Sequence, residues 1–176
     1  KPLSILQVKG ARDICIELNS MSKSHNMAGW RMGVLASNKQ FVRWVAKIKS
    51  NIDSGQFKPM QIATIKALET PKQWHDNMNL LYEQRRIWAH RIMKILGCSY
   101  NPNQVGLYIW AKIPDREESA EKLVDDLLGQ AHVFIIPGFI FGSNGERYIR
   151  LSLTSSAEEI KKAYEQIADF LVSRNY

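Results

Sequence analysis

Apolar and polar positions follow two different periods along the chain, and each change of period marks an element. Residues 13–18, Asp-Ile-Cys-Ile-Glu-Leu, are few and rich in branched apolar side chains, which predicts a buried strand. Residues 31–36, Arg-Met-Gly-Val-Leu-Ala, predict a second strand, and the stretch from Asn19 to Trp30 reads as a loop. Phe41, Trp44, Val45 and Ile48 share one face of a helix over about 38–50, with Ser37-Asn38-Lys39-Gln40 as a capping box. A polar loop over 51–58 leads to Pro59, which suits the first turn of a helix reaching about Thr70. Residues 72–96 contain no Gly or Pro, place Leu81, Trp88, Ile92 and Ile95 on one face, and stop at Gly97. One long helix is predicted there.

The remainder alternates strand and helix. Residues 106–113 read as a strand, and 115–118 cap a helix carrying Ala120, Leu123, Val124, Leu127 and Leu128, closed by Gly129. Residues 133–136 and 147–153 read as further strands. Ser156 to Glu159 forms a capping box for a last helix with Ile160, Ala163, Tyr164, Ile167 and Leu171 on one face. The predicted fold class is α/β (α+β), with residues 1–71 in a first domain, an interdomain helix over 72–98, and a small domain over 99–176. The small domain is expected to hold a short, mainly antiparallel sheet packed by helices.

Composition narrows the class. The 176 residues are 45% hydrophobic and 23% charged, a globular mix that excludes whole-chain disorder. No apolar run approaches the roughly 18 residues of a membrane helix. No basic-then-apolar leader is visible, so a cytoplasmic location is expected, and the start at Lys1-Pro2 suggests a piece of a longer protein. The net charge of +7 is uneven: residues 1–100 hold 16 Lys and Arg against 6 Asp and Glu, residues 101–176 hold 8 against 11. Such asymmetry suits nucleic acid, smaller anionic ligands or an acidic neighbour. Lysines spread over helices and no nucleic-acid motif argue against the first. Cys15 reads as a small core residue and Cys98 follows a helix end, both reduced thiols. No Cys or His spacing suggests a metal site.

The loop Asn19-Ser20-Met21-Ser22-Lys23-Ser24-His25-Asn26-Met27-Ala28-Gly29-Trp30-Arg31-Met32-Gly33 concentrates the chemistry. Hydroxyls and a guanidinium can donate to a phosphate, and glycines allow close backbone approach. A lysine beside cations or in an apolar pocket can free its amine for a Schiff base. Phosphate site plus amine is what pyridoxal phosphate requires. On spacing alone, a solvated surface lysine remains open as well.

That segment closely resembles the lysine segment of fold-type I, pyridoxal-phosphate-dependent aminotransferases, S-x-S-K-x-x-x-x-x-G-x-R-x-G. VFIIPGFIFGSNGERYIRLSL (133–153) resembles the same family's C-terminal signature, and GLYIWAKIP (106–114) its small-domain strand. The resemblance spans essentially the whole chain and corresponds to roughly the C-terminal half of such an enzyme. It implies that residues 1–71 are a remnant of the large cofactor-domain sheet. It implies that Lys23 is the catalytic and cofactor-linking amine, that Ser20, Ser22 and Arg31 bind the cofactor phosphate, and that Arg150 clamps the substrate α-carboxylate. Gly138, Gly142 and Gly145 would supply turns that present Arg150, and residues 54–57 a loop at a subunit interface. The resemblance further implies amino-acid and 2-oxo-acid substrates, a ping-pong cycle and a homodimer, with a leaning toward alanine-, aspartate- or diaminopimelate-type members.

Other residues take plainer roles. His25 and Asn26 are loop residues, Trp30 and Trp44 packing groups, and Arg85, Arg86 and Arg91 a solvated helix face. The acidic partner of the pyridine nitrogen, the ring stacked on the cofactor and the glycine-rich phosphate turn lie upstream of the lysine in family enzymes. The chain alone is therefore expected to be inactive. Competing readings are a pyridoxal-phosphate lyase of the same fold and an aminotransferase-like domain of a transcription regulator.

Overall fold

The computed structural model describes residues 3–174. The chain divides into two compact units, one up to Lys72 and one from Gln73 onward.

The first unit holds α1 (Ala11–Ile14), β1 (Glu17–Ser20), α2 (Met21–Ser24), β2 (Gly33–Ala36), α3 (Lys39–Ile52) and α4 (Lys58–Leu68). The predicted strand over 13–18 is displaced. Gly10, at φ +82°, starts a helical turn that takes Asp13 and Ile14, and pairing begins only at Glu17. Glu17 anchors that start, its carboxylate accepting from Ser4 Oγ at 2.7 Å and the Ile5 N–H at 2.9 Å. β1 and β2 run antiparallel, with Glu17 opposite Ala36 and Ser20 opposite Gly33.

The two-stranded sheet and the segment that leads into it do not bury their apolar positions. Ile14 is 78% and Leu18 76% exposed, and Cys15 is half-buried rather than a core residue. Trp30 and Trp44 are likewise 46% and 54% exposed, and Trp44 packs one face on Phe41 with ring centroids 5.4 Å apart. The core here is a cluster of Met21, Met27 and Met32, backed by Met60, Ala63 and Ala67 from α4. The cap of α3 is Asn38, whose Oδ1 accepts from the Phe41 N–H at 2.9 Å. Ser37 instead donates to the Cys15 carbonyl at 2.6 Å.

The second unit contains α5 (Lys72–Ile95, beginning at the boundary), β3 (Ser99–Tyr100), β4 (Tyr108–Lys112), α6 (Ala120–Ala131), β5 (Ile136–Pro137), β6 (Tyr148–Ser152) and α7 (Ala157–Ser173). The sheet order is β3-β4-β6-β5, antiparallel throughout. Alternation sorts the side chains: Ile109, Ala111, Ile149 and Leu151 face the core, while Tyr108, Trp110, Tyr148 and Arg150 share the other face. Ile92 and Met93 of α5, Leu123 and Leu127 of α6, and Ile160 and Ile167 of α7 complete the core. Each such large side chain contributes about 1.5–3 kcal/mol by leaving water.

Helix ends differ from the sequence reading in physical detail. α6 is capped by Ser119, whose hydroxyl accepts from the Lys122 N–H, not by residues 115–118. It runs through Gly129 and stops at His132, which turns left-handed at φ +55°. The expected strand over 133–136 shrinks to Ile136–Pro137. α7 carries the expected reciprocal box of Ser156 and Glu159. The α5 arginines are engaged rather than merely solvated. Arg85 donates to the Leu153 carbonyl at 3.0 Å, Arg86 to the Gly106 carbonyl at 2.9 Å, and Arg91 lies over the Trp88 ring. Among the described residues no helix is long and apolar enough to cross a membrane, and no group of three or more His, Cys, Asp or Glu could hold a metal.

Candidate active site

In the first unit, the segment expected to be a loop is built around a short helix. Ser20 ends β1 and caps α2, its Oγ accepting from the Ser22 N–H at 3.2 Å. Ser24 Oγ donates to the Ser20 carbonyl at 3.1 Å, closing the same turn. Lys23 sits in this turn with its side chain exposed, and Met21, 1% exposed, plugs the turn into the methionine cluster. The lysine is thus carried by a packed turn on the end of a strand.

Arg31 is tied to the same hairpin. The Met21 N–H donates to the Met32 carbonyl at 3.1 Å, fastening the turn that carries Lys23 to the residue after Arg31. Arg31 is left-handed at φ +54°, a conformation that costs a side-chain-bearing residue about 1–3 kcal/mol. It follows a 3-10 turn, Ala28–Trp30, and its Nη1 donates to the Ala28 carbonyl at 3.2 Å. Gly33 has a steric reason: a Cβ there would lie 3.0 Å from the Asn19 carbonyl oxygen across the sheet. Nothing in the structure requires glycine at Gly29, where an added Cβ meets open space. His25 accepts or donates at Nδ1 against Ser24 Oγ at 2.8 Å.

Ser20, Ser22, Lys23 and Arg31 therefore belong to one hairpin. Together they supply an amine, hydroxyls and a guanidinium, the donor chemistry a phosphorylated carbonyl compound needs. Ser20 Oγ uses a lone pair on its cap and keeps its own proton to donate. These residues fit such a ligand in donor type.

In the second unit, Arg150 lies at the centre of β6, opposite Trp110 on β4 and Ile136 on β5. Its guanidinium carbon sits 4.3 Å from the centroid of the Tyr108 ring and 4.2 Å from that of Phe141. Its Nε is buried without a hydrogen-bond partner. Among the described residues no carboxylate forms an ion pair with it. A half-buried cation with an unpartnered donor can receive a planar anion through two parallel hydrogen bonds.

The turn beside Arg150 explains two of the three glycines directly. An added Cβ on Gly138 would lie 2.5 Å from the Gly145 carbonyl oxygen and 2.7 Å from that of Tyr148. One on Gly145 would lie 2.1 Å from the Gly138 carbonyl oxygen. The backbones of two 3-10 turns, Gly138–Phe141 and Ser143–Gly145, touch at these positions. Gly142 supplies φ +121° between them.

Sequence reasoning missed Tyr108 and Phe141 as neighbours of Arg150. Both lay inside recognisable segments, but only cross-strand register and the 3-10 turn bring them against its guanidinium. It also missed Gln104, whose side-chain amide bonds both the N–H and the carbonyl of Trp110 at 2.8 Å and fixes the entry to β4.

Comparison with known proteins agrees over nearly the whole chain. A family model described as aminotransferase class I and II matches residues 2–167. An LL-diaminopimelate aminotransferase of Aquifex aeolicus is 40% identical over 95% of this chain and 43% of its own length. One from Natranaerobius thermophilus is 35% identical over 97% of this chain and 44% of its own. BacF of Bacillus subtilis superposes with TM-score 0.85 at 33% identity, over 96% of this chain and 43% of that structure. An aromatic aminotransferase from Pyrococcus horikoshii gives TM-score 0.86 at 27% identity, over 98% and 46%. The chain thus spans a little under half the length of these relatives.

Proposed function

This chain belongs to the aminotransferase class I and II family, and from that premise we propose that the whole protein moves an amino group from an L-amino acid to a 2-oxo acid. Pyridoxal phosphate, the cofactor implied by the family, supplies an electron sink for charge developing at the substrate Cα when bound. In this reading Lys23 Nζ holds the cofactor and then carries the proton at Cα. Ser20, Ser22 and Arg31 donate to the phosphate. Arg150 donates to the substrate α-carboxylate and so fixes the orientation of that group.

The single observation that carries the reading is the hairpin joining Ser20 and Lys23 to Arg31 through the Met21–Met32 hydrogen bond. Arg150, with its buried unpartnered Nε, supports the carboxylate role. The named relatives favour LL-diaminopimelate as the first donor to try. Free Cys15 and Cys98 suit a reducing cytoplasm, and a homodimer is the assembly we expect.

The test uses the whole protein with an amino acid and a 2-oxo acid. Amino transfer dependent on the 2-oxo acid is expected, with loss in Lys23→Ala and a raised KM in Arg150→Ala. Sustained release of a 2-oxo product beyond one equivalent per site without an amino acceptor would point to elimination chemistry and overturn the transfer step.

A further inference from the structure

We infer that Tyr108 and Phe141 are positioning residues for Arg150. Both rings pack against its guanidinium and hold it in place for a carboxylate. The inference rests on the proposal that Arg150 binds the substrate carboxylate.

The geometry that carries it is local to the second unit. The guanidinium carbon lies 4.3 Å from one ring centroid and 4.2 Å from the other. Two rings at these distances stabilise the cation and restrict its motion without hydrogen bonds. The Nε of that guanidinium is buried and has no partner. Nε–H and a neighbouring Nη–H form a fork that matches the two oxygens of a coplanar carboxylate.

The two rings are held differently. Tyr108 sits on β4 and is fixed by the sheet. Phe141 ends a 3-10 turn and is 51% exposed, yet its ring meets Trp110 edge-on at 5.9 Å. Trp110 in turn stacks on Tyr148 at 5.2 Å and 10°. A run of aromatic contacts therefore holds Phe141 over the arginine. That placement makes Phe141 a positioning residue for the arginine.

The test compares Phe141→Met and Tyr108→Met, which keep apolar bulk but remove a ring, with Phe141→Tyr and Tyr108→Phe, which keep it. The whole protein is used, with its amino donor and the matching deaminated acid (pimelate for a diaminopimelate donor) as a non-reacting probe. Each Met variant should weaken the probe and raise KM about two- to fivefold, as expected for a cation–π contact at a partly exposed site. Because the arginine grips ground state and transition state alike, kcat should stay within about twofold. The ring-keeping variants should match the wild type. Met variants that bind the probe normally, while Arg150→Ala does not, would sink the positioning role and leave the carboxylate reading intact. Normal probe binding by Arg150→Ala, or none by the wild type, would overturn that reading itself. Either Met variant suffices should the other fail to fold.

Discussion

Two glycine-to-alanine changes in the second unit should shift stability in opposite directions. At Gly138 the new methyl would lie 2.5 Å and 2.7 Å from backbone oxygens of Gly145 and Tyr148, and 2.8 Å from the Trp110 ring. Two of these atoms are main chain, so relief requires the turns to separate from β6. Forced overpacking of this kind costs about 1–3 kcal/mol, and rigid neighbours place Gly138→Ala near the upper end. Gly129 lies inside α6 with open space where a Cβ would go. There Ala gains helix propensity and loses unfolded-chain entropy, so Gly129→Ala should stabilise by about 0.5–1 kcal/mol. For a chain of this size about 1 kcal/mol moves Tm by about 2–4 °C. Thermal unfolding followed by circular dichroism should therefore show Gly138→Ala lowered by about 6–12 °C and Gly129→Ala raised by about 1–4 °C. A Gly138→Ala protein melting within a degree of the wild type would refute the close approach of the two turns.

Other outcomes follow from buried groups. Asp126 on α6 is held by Lys122 and by Arg174 beyond α7, and these hydrogen bonds, the Lys122 one foremost, keep its carboxyl below the usual carboxylate range. Its contribution is therefore complete above the unfolded value of about 3.9 and is lost as pH falls through the lower folded value. Asp126→Asn should cost about 1–3 kcal/mol at pH 7 and flatten the acid limb of unfolding free energy against pH; an unchanged limb would contradict the assignment. The Cys98 thiol is pushed up to about 12 by burial and then by nearby Glu117, against an opposing pull from Arg116. A thiol reagent at pH 8 should label Cys15 well before Cys98 in the folded protein, read by mass spectrometry of peptides, and equal labelling would contradict the burial. Ser156→Ala removes one arm of the α7 capping box and should cost about 1 kcal/mol in the same melting assay.

Much of the second unit was legible because its signals are local. The α5 stripe, the Ser156–Glu159 box and the alternation around Ile149 and Leu151 each name their element from neighbouring residues. The first unit was less legible. Ile14-Cys15-Ile16 looks like a buried strand, but Gly10 starts a turn upstream that no apolar pattern reports. The short helix at Lys23 was hidden in a run of serines, which read as loop residues until Ser20 is seen to cap and Met21 to anchor. At Arg150 the motif marks the arginine, whereas its partners come from β4 and from the 3-10 turn that precedes β6. Residues 108, 141 and 150 meet through register and turn geometry, which spacing along the chain does not encode.

The central claim is that Lys23 is the amine that holds the cofactor. The direct measurement is to load the whole protein with pyridoxal phosphate, reduce with borohydride, digest, and locate the added mass. The account predicts the mass on the peptide carrying Lys23 and its absence in Lys23→Ala. Attachment at another lysine, or an unchanged yield in Lys23→Ala, would contradict it.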